Sequence, residues 1–310
     1  MDINNQMTRR QYLTLTASAA VAATFGSAVS AEPLLSSLPV ATQAAIPNSP
    51  VSCTQVKKSF LNQTDPVITA LLNAETPGEF IVKAAKSESE GAGGIAIELK
   101  FLKPEFRNCN SLKSIIDAVH LPFMFCFYRN DKWENRDDDA RQELLLDAVE
   151  AGASMIDVMG DLYDPSPFEL TRNPVAVEKQ MRLIDVIHAK GADVVISSHI
   201  DSFRTTEQVI EHMKTMEIRG ADVVKLVQNA NTEQELEETF RTTFALRREL
   251  KKPFIHLCNG KFARPHRFFA PAFGIAILFA VQGEATATQP TITAIKSVLD
   301  NLNWNINERR

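Results

Sequence analysis

From residue 66 onward the chain repeats one pattern eight times, and that repetition limits the folds open to it. Each repeat begins with a short apolar run rich in Val, Ile and Phe. Such runs suit strands buried on both faces of a parallel sheet. They read Pro66–Leu72, Gly94–Leu99, Pro122–Tyr128, Ser154–Met159, Asp193–His199, Asp222–Val227, Phe254–Cys258 and Ala276–Val281. Between them lie longer polar–apolar stretches with helical period, among them Asp137–Ala151, Val175–Lys190, Thr205–Ile218, Thr232–Leu250 and Thr291–Leu302. Two helix-to-strand links are nearly identical, Lys190-Gly-Ala-Asp-Val-Val and Arg219-Gly-Ala-Asp-Val-Val. Each puts glycine just past a helix end, where a left-handed residue is needed. Strands alternating with helices in this number predict an α/β fold, a (β/α)8 TIM barrel in a single domain. An open doubly wound sheet would satisfy the same alternation, but no glycine-rich phosphate loop follows any of these strands.

The N-terminus follows other rules. Arg9-Arg10 precedes a weakly apolar stretch, Thr16–Val29, which ends in the small residues Val29-Ser30-Ala31. A basic pair, an apolar region and a small-residue stop in that order are the twin-arginine export pattern. We therefore expect a signal peptide at 1–31, a linker or flexible arm at 32–62, rich in Ser, Pro, Ala and Thr, and the barrel domain at 63–310. The expected location is the periplasm or the extracellular space. A net charge of −5 with scattered Lys and Arg argues against a nucleic-acid partner. The four cysteines stand far apart with no CxxC, and no HExxH occurs, so neither a disulfide framework nor a metal site is expected.

Barrel enzymes carry their chemistry at the C-terminal ends of the strands. That rule selects Glu98, Arg129, Asp157, His199, Lys225, Asn259 and Arg267. Lys225 interrupts Val-Val-Lys-Leu-Val, so its amine must be paired or have its pKa lowered by desolvation. A lysine in such a setting is the usual amine for forming an imine with a ketone, although a structural lysine paired with Asp157 or Glu98 fits the same run. His199 ends the preceding strand, one strand–loop–helix unit earlier, and would emerge beside Lys225 at the same barrel end. Arg267, just after the seventh strand, can clamp a substrate carboxylate bidentately, or simply sit solvated at a helix start. Asp157 can orient a polar neighbour or pair with a lysine.

This order of motifs resembles the type I 3-dehydroquinate dehydratases over roughly residues 66–302. The most specific stretch runs from Val194 to Lys225: Ser197-Ser198-His199 looks like that family's histidine strand, and Gly220-Ala-Asp-Val-Val-Lys225 like its imine-lysine strand. Arg267 falls on the carboxylate-binding arginine, Phe279 on an aromatic position of the eighth strand, and Thr286 and Gln289 near a substrate-touching loop. Glu98-Leu-Lys100 stands where the family carries Glu-x-Arg. The departures are Lys100 for arginine, Phe127-Tyr128-Arg129 with the arginine displaced by one position, Met159 for an acidic residue, Asn259 for methionine, and a one-residue shift at Gln289. The resemblance implies a carbon–oxygen lyase in which Lys225 and His199 are catalytic. Glu98, Lys100, Arg129, Arg267, Thr286 and Gln289 would bind substrate, with Asp157 and Glu134 in support. It implies no cofactor and no metal, because the lysine itself is the electron sink. The expected partner is a small molecule, 3-dehydroquinate or a similar oxo-acid, with a homodimer left open. Another imine-forming lyase or aldolase, and a non-catalytic exported binding protein, remain alternatives.

Overall fold

A computed structural model of the chain describes residues 58–63, 66–304 and 306. The expected signal peptide and most of the expected arm lie outside these residues. So does Cys53, while Cys109, Cys126 and Cys258 are free thiols.

Among the described residues eight strands alternate with eight α-helices. The strands are β1 (Val67–Leu72), β2 (Gly94–Glu98), β3 (Phe123–Cys126), β4 (Met155–Met159), β5 (Asp193–His199), β6 (Val223–Asn229), β7 (Phe254–Asn259) and β8 (Ile277–Ala280). The helices are α1 (Pro77–Ser89), α2 (Cys109–Ile116), α3 (Asp138–Glu150), α4 (Pro174–Ala189), α5 (Thr206–Ile218), α6 (Glu233–Glu249), α7 (Ala263–Phe269) and α8 (Ile292–Leu302). All neighbouring strands pair in parallel, from β7 through β1 to β8. The remaining seam is bridged where Ala276 N donates to Phe254 O at 2.8 Å. The molecule is thus the (β/α)8 barrel that the alternation predicts.

Local chemistry explains where the elements stop. Gly191 and Gly220 take φ of 94° and 97° just past α4 and α5, which a side chain would resist, and so the chain turns into β5 and β6. Thr76, Thr205 and Thr232 start α1, α5 and α6 with reciprocal capping boxes to Glu79, Gln208 and Glu235. Residues 58–62, assigned above to the arm, pack onto the barrel instead. Phe60 is buried, and a Cβ on Gly94 would collide with its ring, so only glycine fits there. Lys58 donates to Val119 O at 2.6 Å.

Pairing in a parallel barrel sends alternate residues inward. Of the strand residues, Ala96 and Glu98, Met124 and Cys126, Asp157, His199, Lys225 and Val227, Leu257 and Asn259, and Phe279 face one cavity at the C-terminal end of the barrel. Their outward neighbours, such as Ile97, Phe125, Val158, Val224 and Leu226, are buried in the apolar layer shared with the helices.

Candidate active site

The cavity encloses about 690 Å³ including the solvent at its mouth. On β6, Lys225 is paired in register with Ser197 of β5, so its side chain points into the barrel between Asp157 and Phe279. It is 5% exposed. Its ammonium is not bare: Nζ lies 3.2 Å from Asp157 Oδ2 and 3.2 Å from Tyr128 Oη, and sits 4.9 Å from the centre of the Phe279 ring. Asp157, also buried, accepts from Tyr128 Oη at 2.9 Å and from Ser197 Oγ. One carboxylate thus holds the amine, the phenol and a hydroxyl together. A buried ion pair tolerates desolvation only when its remaining lone pairs are satisfied in this way. Burial, followed by the negative charge of Asp157, pushes the Tyr128 phenol well above its ordinary value, so it stays protonated.

His199 ends β5 at the rim of the same cavity, with the Tyr128 ring edge-on at 5.2 Å. Glu169, on the connection between β4 and α4, accepts from the His199 backbone N at 2.7 Å and meets its Nδ1 at 3.2 Å. A carboxylate can only accept, so this contact puts the ring proton on Nδ1 and leaves the Nε2 lone pair for chemistry. Glu169 reaches this place through a left-handed backbone, φ 46°, which a non-glycine residue adopts only when its surroundings hold it there. Ser198 Oγ donates to its carbonyl at 2.6 Å, and Gly160 passes so close that a Cβ would strike that same carbonyl. Buried Arg219 braces the two ends of the connection through Gly160 O, at 2.9 Å, and Thr171 O.

Arg267 on α7 also lines the cavity. It donates to Cys258 O at 3.0 Å, Gln289 Oε1 at 3.0 Å and Asn259 Oδ1 at 2.8 Å, all neutral acceptors. Among the described residues no carboxylate pairs with it, and burial lowers its pKa from 12.5 to about 10. A buried, geometrically fixed guanidinium of this kind has the chemistry to take a carboxylate bidentately.

A family model of type I 3-dehydroquinase matches residues 68–305. The chain belongs to that family. No curated protein matches it. In solved structures it is similar to the 3-dehydroquinate dehydratase of Geobacillus kaustophilus, with 17% identity and a TM-score of 0.68 over 79% of this chain and 95% of that one. It is also similar to the Clostridium difficile type I enzyme with covalently modified comenic acid, with 18% identity and a TM-score of 0.64 over 77% and 93%. The Enterococcus faecalis enzyme gives 17% identity and a TM-score of 0.63 over 77% and 95%. At these identities the structural likeness speaks for the fold, and the family assignment rests on the sequence model.

Within the type I 3-dehydroquinase frame, several of the expected residues are engaged by protein partners. Arg129 follows Tyr128 by one position and therefore faces the opposite side of the strand end. Its guanidinium is engaged by Asp161 at 2.8 Å and Asp138 at 3.0 Å, and it lines a cleft that shares Glu98, Tyr128 and His199 with the lysine cavity. The side chain that enters the cavity there is Tyr128, which residue chemistry alone passed over. Its signal was available in the alternation Met124, Cys126, Tyr128. Glu134 lies at the rim, paired with Arg136 at 2.7 Å and 3.5 Å from Arg107, and does not line the cavity. Thr286 shapes the turn by accepting from Gln289 N at 2.8 Å, while Thr288 and Gln289 line the cavity. Glu98 lines the cavity with Lys100 paired to it at 2.9 Å. Glu169 carried no sequence signal: it sits in an irregular loop outside any periodic segment.

Proposed function

We propose that this protein dehydrates 3-dehydroquinate to 3-dehydroshikimate through an imine on Lys225. The observation that carries the reading is one cavity lined by a buried lysine, a histidine with its Nε2 left free and an arginine without a counter-ion among the described residues. Lys225 adds to the C3 ketone, and loss of water gives a protonated imine that acts as the electron sink. His199 Nε2 removes a C2 proton to give an enamine, then returns a proton to the C1 hydroxyl as it leaves as water. Hydrolysis of the imine releases product. Arg267 holds the ring carboxylate, and Glu98 and Gln289 hold ring hydroxyls. The scheme requires no metal or cofactor, because the lysine supplies the sink. Proton transfer by a placed histidine contributes about 10²–10⁴-fold in rate.

The test is intact mass spectrometry after adding 3-dehydroquinate and sodium borohydride, with Lys225→Ala alongside. A ligand-sized gain located on Lys225 and absent from the variant supports the reading. No adduct together with no product by ultraviolet absorbance would sink it. A second reading, another imine-forming lyase or aldolase acting on a small oxo-acid, is favoured by Tyr128 entering the cavity where the family pattern places an arginine nearby. Borohydride trapping of a different ketone, without turnover of 3-dehydroquinate, would select it.

The export pattern around Arg9-Arg10 leads to a further proposal: the chain is exported through the twin-arginine route and serves breakdown of external quinate. Fractionating cells that express the chain, with Arg9→Lys/Arg10→Lys as control, tests the location. Retention of the intact chain in the cytoplasm would refute it.

A further inference from the structure

Resting on the imine reading above, we propose that Tyr128 is a catalytic residue, the acid that expels water from the carbinolamine on Lys225. The argument begins with position. The carbinolamine oxygen is two bonds from Nζ, and Tyr128 Oη lies 3.2 Å from that nitrogen. An oxygen formed there falls within hydrogen-bond reach of the phenol. Among the described residues, the side chains hydrogen-bonded to Lys225 Nζ are Tyr128 and Asp157, and His199 is not one of them. His199 is held from the other side, with Nδ1 turned to Glu169. Two proton-transfer stations therefore exist. One sits on the nitrogen, and the other is free for the carbon acid.

The protons balance over the sequence. The Lys225 ammonium passes one proton to Asp157, 3.2 Å away. The neutral amine adds to the carbonyl carbon, and a proton moves from nitrogen to oxygen, giving a neutral carbinolamine. Tyr128 then gives its hydroxyl proton to the carbinolamine oxygen. The C–O bond breaks, water leaves, and the nitrogen lone pair closes the C=N bond of a protonated imine. The phenolate recovers a proton from Asp157 along their 2.9 Å contact, so both groups return to their starting state. The same steps in reverse activate water for imine hydrolysis. Burial and the charge of Asp157 hold the phenol protonated at rest and make its phenolate short-lived, as a relay requires. An arginine at this place could not perform the transfer, because guanidinium stays charged.

The experiment is rapid-quench borohydride trapping with 3-dehydroquinate on full-length wild type, Tyr128→Phe and His199→Ala. Tyr128→Phe keeps the ring edge against His199 and removes only the hydroxyl. We expect trapped imine to appear about 10²-fold more slowly, with the half-saturating substrate concentration unchanged. In His199→Ala the deficit falls after the imine, so the adduct accumulates without product. Trapping in Tyr128→Phe at the wild-type rate overturns the assignment and leaves the imine reading standing, whereas no trapping in wild type overturns both. Should the phenylalanine variant fold poorly, 3-fluorotyrosine at position 128 preserves shape and raises phenol acidity. A trapping rate that shifts with that acidity supports the relay, and one that ignores it refutes the relay.

Discussion

Replacing Arg267 with methionine separates the stability of the fold from the affinity of the site, because the first should change little and the second greatly. The guanidinium is nearly fully buried against three neutral oxygens, and burial lowers its pKa from 12.5 to about 10. A shift of that size means the empty site disfavours the charged form by about 3 kcal/mol. Methionine relieves that penalty and keeps much of the volume, but leaves the Cys258 carbonyl without its donor, a loss of about 1–3 kcal/mol. The net effect on the unliganded protein is therefore small, within about 2 kcal/mol and of either sign. The effect on substrate is not small. Two charge-assisted bonds to a carboxylate, at about 1.5–3 kcal/mol each, predict a fall in kcat/KM of about 10²–10⁴-fold. Urea unfolding without ligand and steady-state kinetics with 3-dehydroquinate, on the same preparation, check both halves. A variant that unfolds more than about 4 kcal/mol more easily, yet keeps its kcat/KM, would show that Arg267 is a structural tie and refute the receptor argument.

Other outcomes follow from the same geometry. Glu169→Gln keeps an acceptor for His199 Nδ1 but removes the charge that stabilises the imidazolium. It should lower kcat by about 10–100-fold with KM nearly constant, and a change in KM alone would count against a positioning role. Arg129→Met strips an ion pair from buried Asp161 and should lower stability by about 2 kcal/mol while changing KM less than about threefold. A large rise in KM at unchanged stability would return Arg129 to the substrate. Burial holds His212 and His256 neutral in the fold, with pKa values of about 4 and about 3 against 6.5 when unfolded. Unfolding below pH 6.5 therefore takes up a proton at each, and stability falls as pH drops toward those folded values. At about 1.4 kcal/mol per unit and group, urea midpoints should be clearly lower at pH 5 than at pH 7, and equal midpoints would contradict the prediction.

The barrel was legible because its strands are buried on both faces, so each apolar run stands out, and glycine marks the turns into β5 and β6. The reacting groups were legible for the complementary reason. Lys225, Glu98 and Asp157 are charged residues inside apolar runs, and the inward period places them together. What escaped the reading lies where period and chemistry diverge. At the end of the third strand, chemical expectation favours Arg129, whereas the alternation from Met124 and Cys126 favours Tyr128, and the alternation decides which side chain enters the cavity. At Glu169 no period operates. Its position depends on a left-handed backbone, the Ser198 hydroxyl and the close passage of Gly160, which are three-dimensional facts with no local sequence signature.

The arrangement of charge in the cavity accounts for both the orientation of a ligand and the ease of the first chemical step. Lys100 answers Glu98 at 2.9 Å and Lys225 answers Asp157 at 3.2 Å, while Arg267 keeps an open charge and Glu169 backs the histidine at the rim. A ligand with one carboxylate and one ketone thus has a single favourable sense of entry, its carboxylate toward Arg267 and away from Glu169. Converting the Lys225 ammonium to a protonated imine leaves one positive charge on the same nitrogen. Asp157 is therefore compensated before and after the step, and Ser197 and Tyr128 need not move to satisfy it. A buried pair that would be a poor source of stability becomes a pre-set environment for a nitrogen that ends the step with the positive charge it began with. On this account Asp157→Asn should slow imine formation more than it weakens ligand binding, since Arg267 still anchors the carboxylate. Trapping rates and ligand titrations that fell together would contradict it.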